Sequence, residues 1–265
     1  VRRGEVDLGV DGLAGLAATA LCLVPFTLGF LLPTGVMLGH ALAKPQVWAA
    51  PGLVEAALNT VLVGGIAALL TVSAALFLVY GTRMAGRKIA RAVLPITGLG
   101  YAMPGAVLAV GLLVPLAAMD HRLADGILAL TGTDPGLLLT GTAAAIVLAY
   151  VVRFFGIAQG AVDTAFGRIS PSLPMAARSL GRGAGGTLRD LYLPLMRGSV
   201  ASALLVVFVD CVKELPATLL LRPFNFNTLS TRVYELASLE RIGEAAPAAL
   251  IVTAMGLAAV ALLAR

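Results

Sequence analysis

The chain has 265 residues, of which 59% are hydrophobic and 12% charged, with a net charge of +5 and a mean hydropathy of +0.95. A soluble domain carries about 25% charged residues, so the composition excludes a water-soluble globular protein and predicts a membrane protein. The positive charge does not indicate nucleic-acid binding, because the basic residues lie in short segments between apolar runs. The two cysteines and the two histidines are far apart, so neither a disulfide scaffold nor a metal site is expected.

Six apolar runs are long enough to span a bilayer as helices, for which about 20 residues suffice. In chain order they cover residues 13–42, 53–80, 94–118, 138–160, 195–221 and 245–264. The first is long enough to tilt, or to break near Pro25 or Pro33. The sequence therefore predicts an all-α, polytopic helical bundle that forms a single transmembrane domain over residues 1–265.

The basic residues predict the orientation of these spans. Residues 81–93 carry basic residues and no acid, and residues 153–197 carry six arginines, from Arg153 to Arg197, against two aspartates. By the positive-inside rule both segments are cytoplasmic, and an even number of spans then places both termini in the cytoplasm. The outer segments, 119–137 and 222–244, are too short for a folded substrate-capturing domain. A separate protein would therefore deliver the substrate, or the substrate would enter unaided.

The cytoplasmic segment 163–194 has the features of a small helical knob. Residues 170–174 offer a turn and a helix N-cap, residues 175–180 favour a helix, and Gly181 would end or bend it. A second short helix is predicted from about Thr187 to Leu191, after which Leu193-Pro194 would turn the chain into the next span.

This segment resembles the coupling loop of ABC importer permeases, whose pattern is Glu-Ala-Ala, three residues, Gly, nine residues and Ile-x-Leu-Pro. Every spacing is reproduced, with methionine in place of the glutamate and leucine in place of the isoleucine. A helix end of the form Ala-Ala-x-x-x-Gly is common by itself, so the full spacing and the cytoplasmic location carry the assignment. The resemblance implies that the following residues dock into a cleft of an ATP-binding subunit: Met175, Ala176, Ala177, Gly181, Leu191, Leu193 and Pro194.

Other segments resemble permeases for ferric iron, namely residues 101–105, 149–154, 213–218, 221–229 and 244–247. Such permeases commonly carry two six-span halves on one polypeptide, and this chain resembles the second half, which would explain its start at Val1. The resemblance implies an importer of Fe³⁺ in the bacterial inner membrane. Its expected partners are a dimer of ATP-binding subunits, a second permease half, a periplasmic or lipoprotein substrate-binding protein, and membrane lipid. Permeases for thiamine, polyamines, sulfate or phosphonates share the coupling loop and remain alternatives.

Ionisable residues near the outer end of the fifth span form the candidate translocation pathway or gate. Asp210 lies one helical turn before Lys213 and Glu214, so contacts between these side chains are feasible. Pro216 would let the backbone unwind and expose carbonyl groups to a cavity. A structural ion pair is the alternative reading, because a charge inside a span needs a partner whether or not it takes part in transport.

The sequence lacks a phosphate-binding loop of the form G-x-x-x-x-G-K-[ST], so we expect ATP on a partner subunit and no cofactor or enzymatic activity on this chain. The rival from another class is a secondary transporter driven by an ion gradient. It would be expected to carry more membrane-embedded acids and internal inverted repeats. A membrane-bound enzyme would need a cluster of catalytic side chains, which the two histidines do not supply.

Overall fold

The computed structural model describes residues 12–85 and 87–263, and these residues fold mainly into helices. The α-helices are α1 Gly12–Phe26, α2 Leu32–Ala43, α3 Leu53–Ala85, α4 Arg87–Thr97, α5 Leu99–Ala102, α6 Gly105–Thr131, α7 Ala143–Gly167, α8 Ser172–Ser179, α9 Ala184–Thr187, α10 Leu193–Val212, α11 Pro216–Leu221, α12 Leu229–Ser238 and α13 Ile242–Leu263. Two π-helical turns, Thr27–Leu31 and Leu188–Tyr192, join α1 to α2 and α9 to α10.

Six helical stretches in the described part of the chain are long and apolar enough to span a membrane: Ala14–Ala43, Leu53–Met84, Gly105–Thr131, Ala143–Gly167, Ala184–Val212 and Ile242–Leu263. The predicted all-α bundle with six spans is therefore confirmed. The first span does not break at its prolines. It passes through the π turn Thr27–Leu31, in which the Leu32 N–H bonds to the Thr27 carbonyl, so the helix widens locally and continues.

The predicted bounds of the third and fifth spans are wrong, because the chain leaves the helix inside two apolar runs. In the third, Met103 is extended with ψ 139° and Pro104 precedes α6, so the span begins at Gly105 and continues to Thr131. In the fifth, α10 ends at Val212, and the short helix α11 follows only after a three-residue break. Hydropathy identifies apolar runs but does not register these breaks.

Helices α3, α7 and α10 form the centre of the bundle, and their buried faces consist largely of alanine and valine. Small residues let helices approach closely in lipid, where dispersion rather than water exclusion favours their association. The closest approach lies between α5 and α7. A Cβ atom added at Gly100 would lie 2.1 Å from the Val152 carbonyl oxygen, so only glycine fits there. This contact fixes the break before α6 against the middle of α7.

A buried carboxylate in α6 holds the segment between α6 and α7. Asp120 was assigned to an outer segment from the sequence, but it lies in α6 and is fully buried. It accepts hydrogen bonds from the backbone N–H groups of Leu138 at 3.0 Å, Leu139 at 2.7 Å and Thr140 at 2.7 Å, and from the Thr140 hydroxyl. Four donors satisfy one carboxylate, so Asp120 fastens the segment between α6 and α7 to the bundle.

Candidate functional site

The candidate coupling loop begins with α8, which ends in a closed glycine cap. Gly181 has φ +79°, in the left-handed region that favours glycine. Its N–H bonds to the Arg178 carbonyl at 2.9 Å, and the Arg182 N–H bonds to the Ala177 carbonyl at 3.0 Å. These two bonds define a Schellman motif, which satisfies the last carbonyl groups of the helix and sets the direction in which the chain leaves it. The prediction that Gly181 ends the helix is confirmed.

A cluster of three aromatic side chains, Tyr80, Phe166 and Tyr192, attaches this loop to the bundle. We call it the inner aromatic cluster, because it lies at the end of the bundle that is predicted to be cytoplasmic. The ring centroids of Phe166 and Tyr192 lie 4.8 Å apart, and Tyr80 lies 5.7 Å from Tyr192 and 6.0 Å from Phe166. The Tyr80 hydroxyl donates to the Ala184 carbonyl at 2.6 Å. Three helices, α3, α7 and the one that starts at α9, therefore meet at a packed aromatic contact directly beside the loop.

The second half of the loop differs from its prediction. The chain does not turn at Leu193-Pro194, because α9, the π turn Leu188–Tyr192 and α10 form one continuous helix from Ala184 to Val212. The Leu193 N–H bonds to the Leu188 carbonyl, five residues earlier, so the widened turn directly precedes the proline, which has no N–H to donate. Leu191 lies within this π turn. Movement of the loop would therefore pass directly into α10.

The predicted contact residues of the loop lie mostly at its surface. The Met175 side chain is 66% exposed, Ala176, Gly181, Leu193 and Pro194 are exposed, and Ala177 and Leu191 are half-buried. Met175 also lines a cavity of about 210 Å³ between α8 and the ends of α3 and α7. These positions leave the surface of α8 available for contact with another protein.

A buried ion pair joins α7 to the break after α10. Arg153 Nε is 3.0 Å from Glu214 Oε2, and their side chains are 18% and 7% exposed. The two atoms are close enough for an ion pair but are not aligned as a hydrogen bond. Arg153 lies thirteen residues from Phe166 along α7, which is roughly 20 Å at 1.5 Å per residue. We call Arg153 and Glu214 the membrane ion pair.

The structure decides between two predictions for Arg153, which fell both within the predicted span 138–160 and within the predicted cytoplasmic segment 153–197. Arg153 lies in the interior of α7. The signal was present, because a lone arginine that follows the apolar residues 143–152 needs a partner if it is within the span. Glu214 was a candidate partner, but it is distant in sequence, and the sequence does not show how the two helices are aligned with each other.

Two helix breaks meet at the membrane ion pair. Arg153 Nη1 donates to the carbonyl of Met103 at 2.8 Å, in the break before α6. Glu214 belongs to the break after α10, and its Oε1 accepts from the Ala217 N–H at 3.2 Å. The predicted unwinding next to Pro216 is thus confirmed, and Pro216 itself begins α11. Backbone groups released by a break inside a membrane require such partners.

Asp210 and Lys213 form a second ion pair one helical turn away, with Lys213 Nζ 2.6 Å from Asp210 Oδ1. The spacing of Asp210 and Lys213 in the sequence had allowed this contact. The Lys213 side chain is 63% exposed, whereas that of Asp210 is largely buried. Of the four candidate pathway residues, Glu214 is therefore the most enclosed by the bundle, whereas Lys213 and Pro216 are exposed.

A groove of about 380 Å³ runs between α7 and α10 on the inner side of the membrane ion pair. On α7 its lining residues, Ile157, Gly160, Thr164 and Arg168, continue the helical face of Arg153 at intervals of three or four residues. On α10 it is lined by small residues and by the hydroxyl-bearing Ser199 and Ser202, among others. The groove therefore leads from the membrane ion pair toward the end of α7 at Gly167, and its few polar side chains include Thr164 and Arg168.

Among residues 12–85 and 87–263, no group of three or more histidine, cysteine, aspartate or glutamate side chains is placed to hold a metal ion. Cys22 is exposed and Cys211 is buried, and both are free thiols.

The fold is that of an ABC importer permease. The chain is similar to one chain of a bacterial alginate ABC transporter crystallised with an alginate pentasaccharide-bound periplasmic protein, with a TM-score of 0.72, 18% identity, and coverage of 94% of this chain and 91% of that one. It is also similar to a bacterial ABC transporter involved in the import of the acidic polysaccharide alginate, with a TM-score of 0.71, 18% identity, and coverage of 94% and 95%.

At the sequence level the chain is 31% identical to the Fe(3+)-transport system permease protein FbpB 2 of Haemophilus influenzae, over 193 residues, 73% of this chain and 35% of the relative. It is 28% identical to the 2-aminoethylphosphonate transport system permease protein PhnV of Salmonella typhimurium, over 144 residues and 54% of each chain. The chain thus spans about a third to a half of the length of these relatives. No protein-family model matches it. These comparisons confirm the predicted resemblance to ABC importer permeases, including those for ferric iron.

Proposed function

We propose that the chain is a permease subunit, or one half of a permease, in an ATP-driven importer. The observation that carries this proposal is the helical knob, in which α8 ends at a left-handed Gly181 and the next helix continues without interruption into a membrane span. A short rigid helix with small residues at its exposed face can seat in a groove of another protein. Its attachment at the inner aromatic cluster lets a movement of that protein reach α7 and α10.

The proposed partners follow from this role. ATP would bind to a dimer of separate ATP-binding subunits, which contact Met175, Ala176, Ala177, Gly181, Leu191, Leu193 and Pro194. A second permease half would complete the translocation path, and an extracytoplasmic binding protein would deliver the substrate. The two basic segments support a location in the bacterial inner membrane with both termini in the cytoplasm, although residues 1–11 and 264–265 lie outside the described part of the chain.

We propose Fe³⁺ as the substrate, supported by the identity to a ferric-iron permease protein and by the corresponding sequence segments. A phosphonate is the second candidate, because a relative named for 2-aminoethylphosphonate transport also matches. The iron would pass through as cargo and would not reside on this chain.

We further propose that Asp210, Lys213, Glu214 and Pro216 belong to the gate of the translocation path. Glu214 supports this role, since it is a buried carboxylate at the helix break after α10. Within a membrane, irregular backbone is tolerated if it lines a cavity or is enclosed by protein. Glu214→Ala is expected to lower uptake more than membrane abundance. If abundance falls in proportion to uptake, Glu214 has a structural role only and the gate proposal fails.

The importer proposal is tested by reconstituting the chain in proteoliposomes with its second permease half, the ATP-binding subunit and the binding protein. We expect uptake of radioactive Fe³⁺ that requires ATP inside the vesicles and is abolished when the ATP-binding subunit is omitted. Uptake of 2-aminoethylphosphonate in place of iron would select the second substrate. Uptake that follows an imposed proton or sodium gradient without ATP would refute the importer proposal in favour of a secondary transporter.

A further inference from the structure

Arg153 lies on an uninterrupted helix between two interrupted ones. Its guanidinium pairs with Glu214 in the break after α10 and donates to the Met103 carbonyl in the break before α6. A guanidinium is suited to this arrangement because it offers several donors in a rigid plane, whereas an ammonium offers a single charged centre. One side chain on α7 therefore joins two breaks that are distant in sequence.

The space between the start of α6 and the two charged groups is filled. A Cβ atom added at Gly105, the first residue of α6, would lie 2.6 Å from Glu214 Oε1 and 3.1 Å from Arg153 Nη1. The start of α6 thus contacts both charged groups with no room for a larger side chain. One turn from Arg153 along α7, the Tyr150 hydroxyl lies 2.6 Å from the Thr218 hydroxyl and ties α7 to α11. The start of α6 and the short helix α11 are thus both held against α7.

The same two helices, α7 and the one that ends as α10, also meet at the coupling loop. At their inner ends Phe166 packs on Tyr192, and thirteen residues before Phe166 on α7 Arg153 pairs with Glu214, just beyond the end of α10. A shift of the π turn Leu188–Tyr192 along α7 would therefore be carried by α10 to Glu214. The membrane ion pair opposes that shift until the pair separates.

We infer that Arg153 is a positioning residue that holds the breaks before α6 and after α10 together in the described conformation, and that its release lets them separate during transport. This inference rests on the proposed function for its link to ATP hydrolysis. It adds α7 and Met103, which are not part of the proposed gate of residues 210–216, to the groups that take part in transport.

Cys211 provides a built-in probe of this junction. It lies three residues before Glu214, it is buried, and its Cβ is 3.5 Å from the position of a Cβ on Gly64 of α3. In a Cys22→Ala background it is the single thiol of the chain. Its rate of labelling by N-ethylmaleimide reports whether the outer end of α10 remains packed, and this measurement does not depend on ATP.

The experiment compares Arg153→Met with the unchanged residue in the complete transporter in proteoliposomes. We expect Cys211 labelling to accelerate by about tenfold and basal ATP hydrolysis to rise by a similar factor, so that stimulation by loaded binding protein is lost. The matched control is Arg241→Met. It removes an arginine whose pair with Glu244 is exposed and lies at the outer end of α13, and it should change neither measurement.

A second variant separates positioning from folding. Arg153→Met alone leaves Glu214 buried without a counter-charge, and such a loss can prevent insertion. Arg153→Met combined with Glu214→Leu removes both charges, and a buried ion pair replaced by apolar residues is often stable. We expect the double variant to reach wild-type abundance but to keep the fast labelling of Cys211, because Met103 still lacks its donor.

Slow, wild-type labelling of Cys211 in an abundant double variant would overturn the inference. So would a wild-type ratio of stimulated to basal ATP hydrolysis in that variant. Failure of the proposed function looks different: the unchanged chain would then show no ATP hydrolysis with its partners. In that event the labelling of Cys211 in the two variants still decides whether Arg153 holds the junction.

Discussion

Substitution of Gly181 by valine should disconnect the coupling loop without affecting the membrane spans. Gly181 has φ +79°, and a Cβ added there meets no atom within 4 Å, so the cost arises from the backbone alone. An L-residue in the left-handed region costs about 1–2 kcal/mol, and a β-branched residue is expected at the upper end. If that strain opens the cap, the bonds from Gly181 to Arg178 and from Arg182 to Ala177 are lost, and α8 leaves its seat. A change of this size corresponds to a factor of roughly 5–30 in an equilibrium.

The assay is co-purification of the ATP-binding subunit from membranes, normalised to the abundance of the permease chain. Gly181→Val should reduce the recovered ATP-binding subunit by that factor while abundance stays constant. Gly181→Asn is the control at the same position, since asparagine tolerates the left-handed region and should retain most of the binding. Gly183→Ala is the control for a nearby glycine, because Gly183 has φ −70°. Full recovery of the ATP-binding subunit with Gly181→Val would refute the reasoning.

The other predictions concern the contact of α8 with the ATP-binding subunit, the membrane topology, and the buried carboxylate of Asp120. Ala177→Asp should place an unpaired charge in the contact with the ATP-binding subunit and weaken binding by about a hundredfold if the site is fully enclosed, and unchanged binding in a pull-down would exclude Ala177 from that contact. A cysteine at Lys88 should react with an impermeant thiol reagent only from the cytoplasm and one at Asp125 only from outside, and labelling of both from one side would refute the six-span topology. Asp120→Asn should lower membrane abundance and uptake equally, because the amide turns an NH₂ group toward backbone N–H donors. Normal abundance of this variant on a blot would show that the bonds from residues 138–140 to Asp120 are not needed for folding.

Several features followed from the sequence because they depend on local chemistry. Apolar runs longer than the bilayer thickness require helices, since lipid offers no hydrogen-bond partners to the backbone, and this gave six spans. The end of α8 was predicted because only glycine readily adopts the conformation that a Schellman cap requires. Pro216 marked the break after α10, because proline has no N–H to continue a helix and disfavours the helical conformation of the residue before it. The break at Met103-Pro104 was missed, because the predicted third span ran through it.

The tertiary structure alone decided which groups meet across the bundle. Arg153 was counted as a cytoplasmic charge and Asp120 as an outer one, because an ionised side chain normally marks the end of a span. Both are within helices, where Glu214 and the N–H groups of residues 138–140 compensate for their burial. The sequence by itself determined the number of membrane-spanning helices and the residue at which α8 of the coupling loop ends. Both depend on local properties of the chain, namely hydropathy and backbone conformation. The register that brings Arg153, Glu214 and Met103 together depends on how α7 packs between two broken helices, and no local pattern encodes that distance.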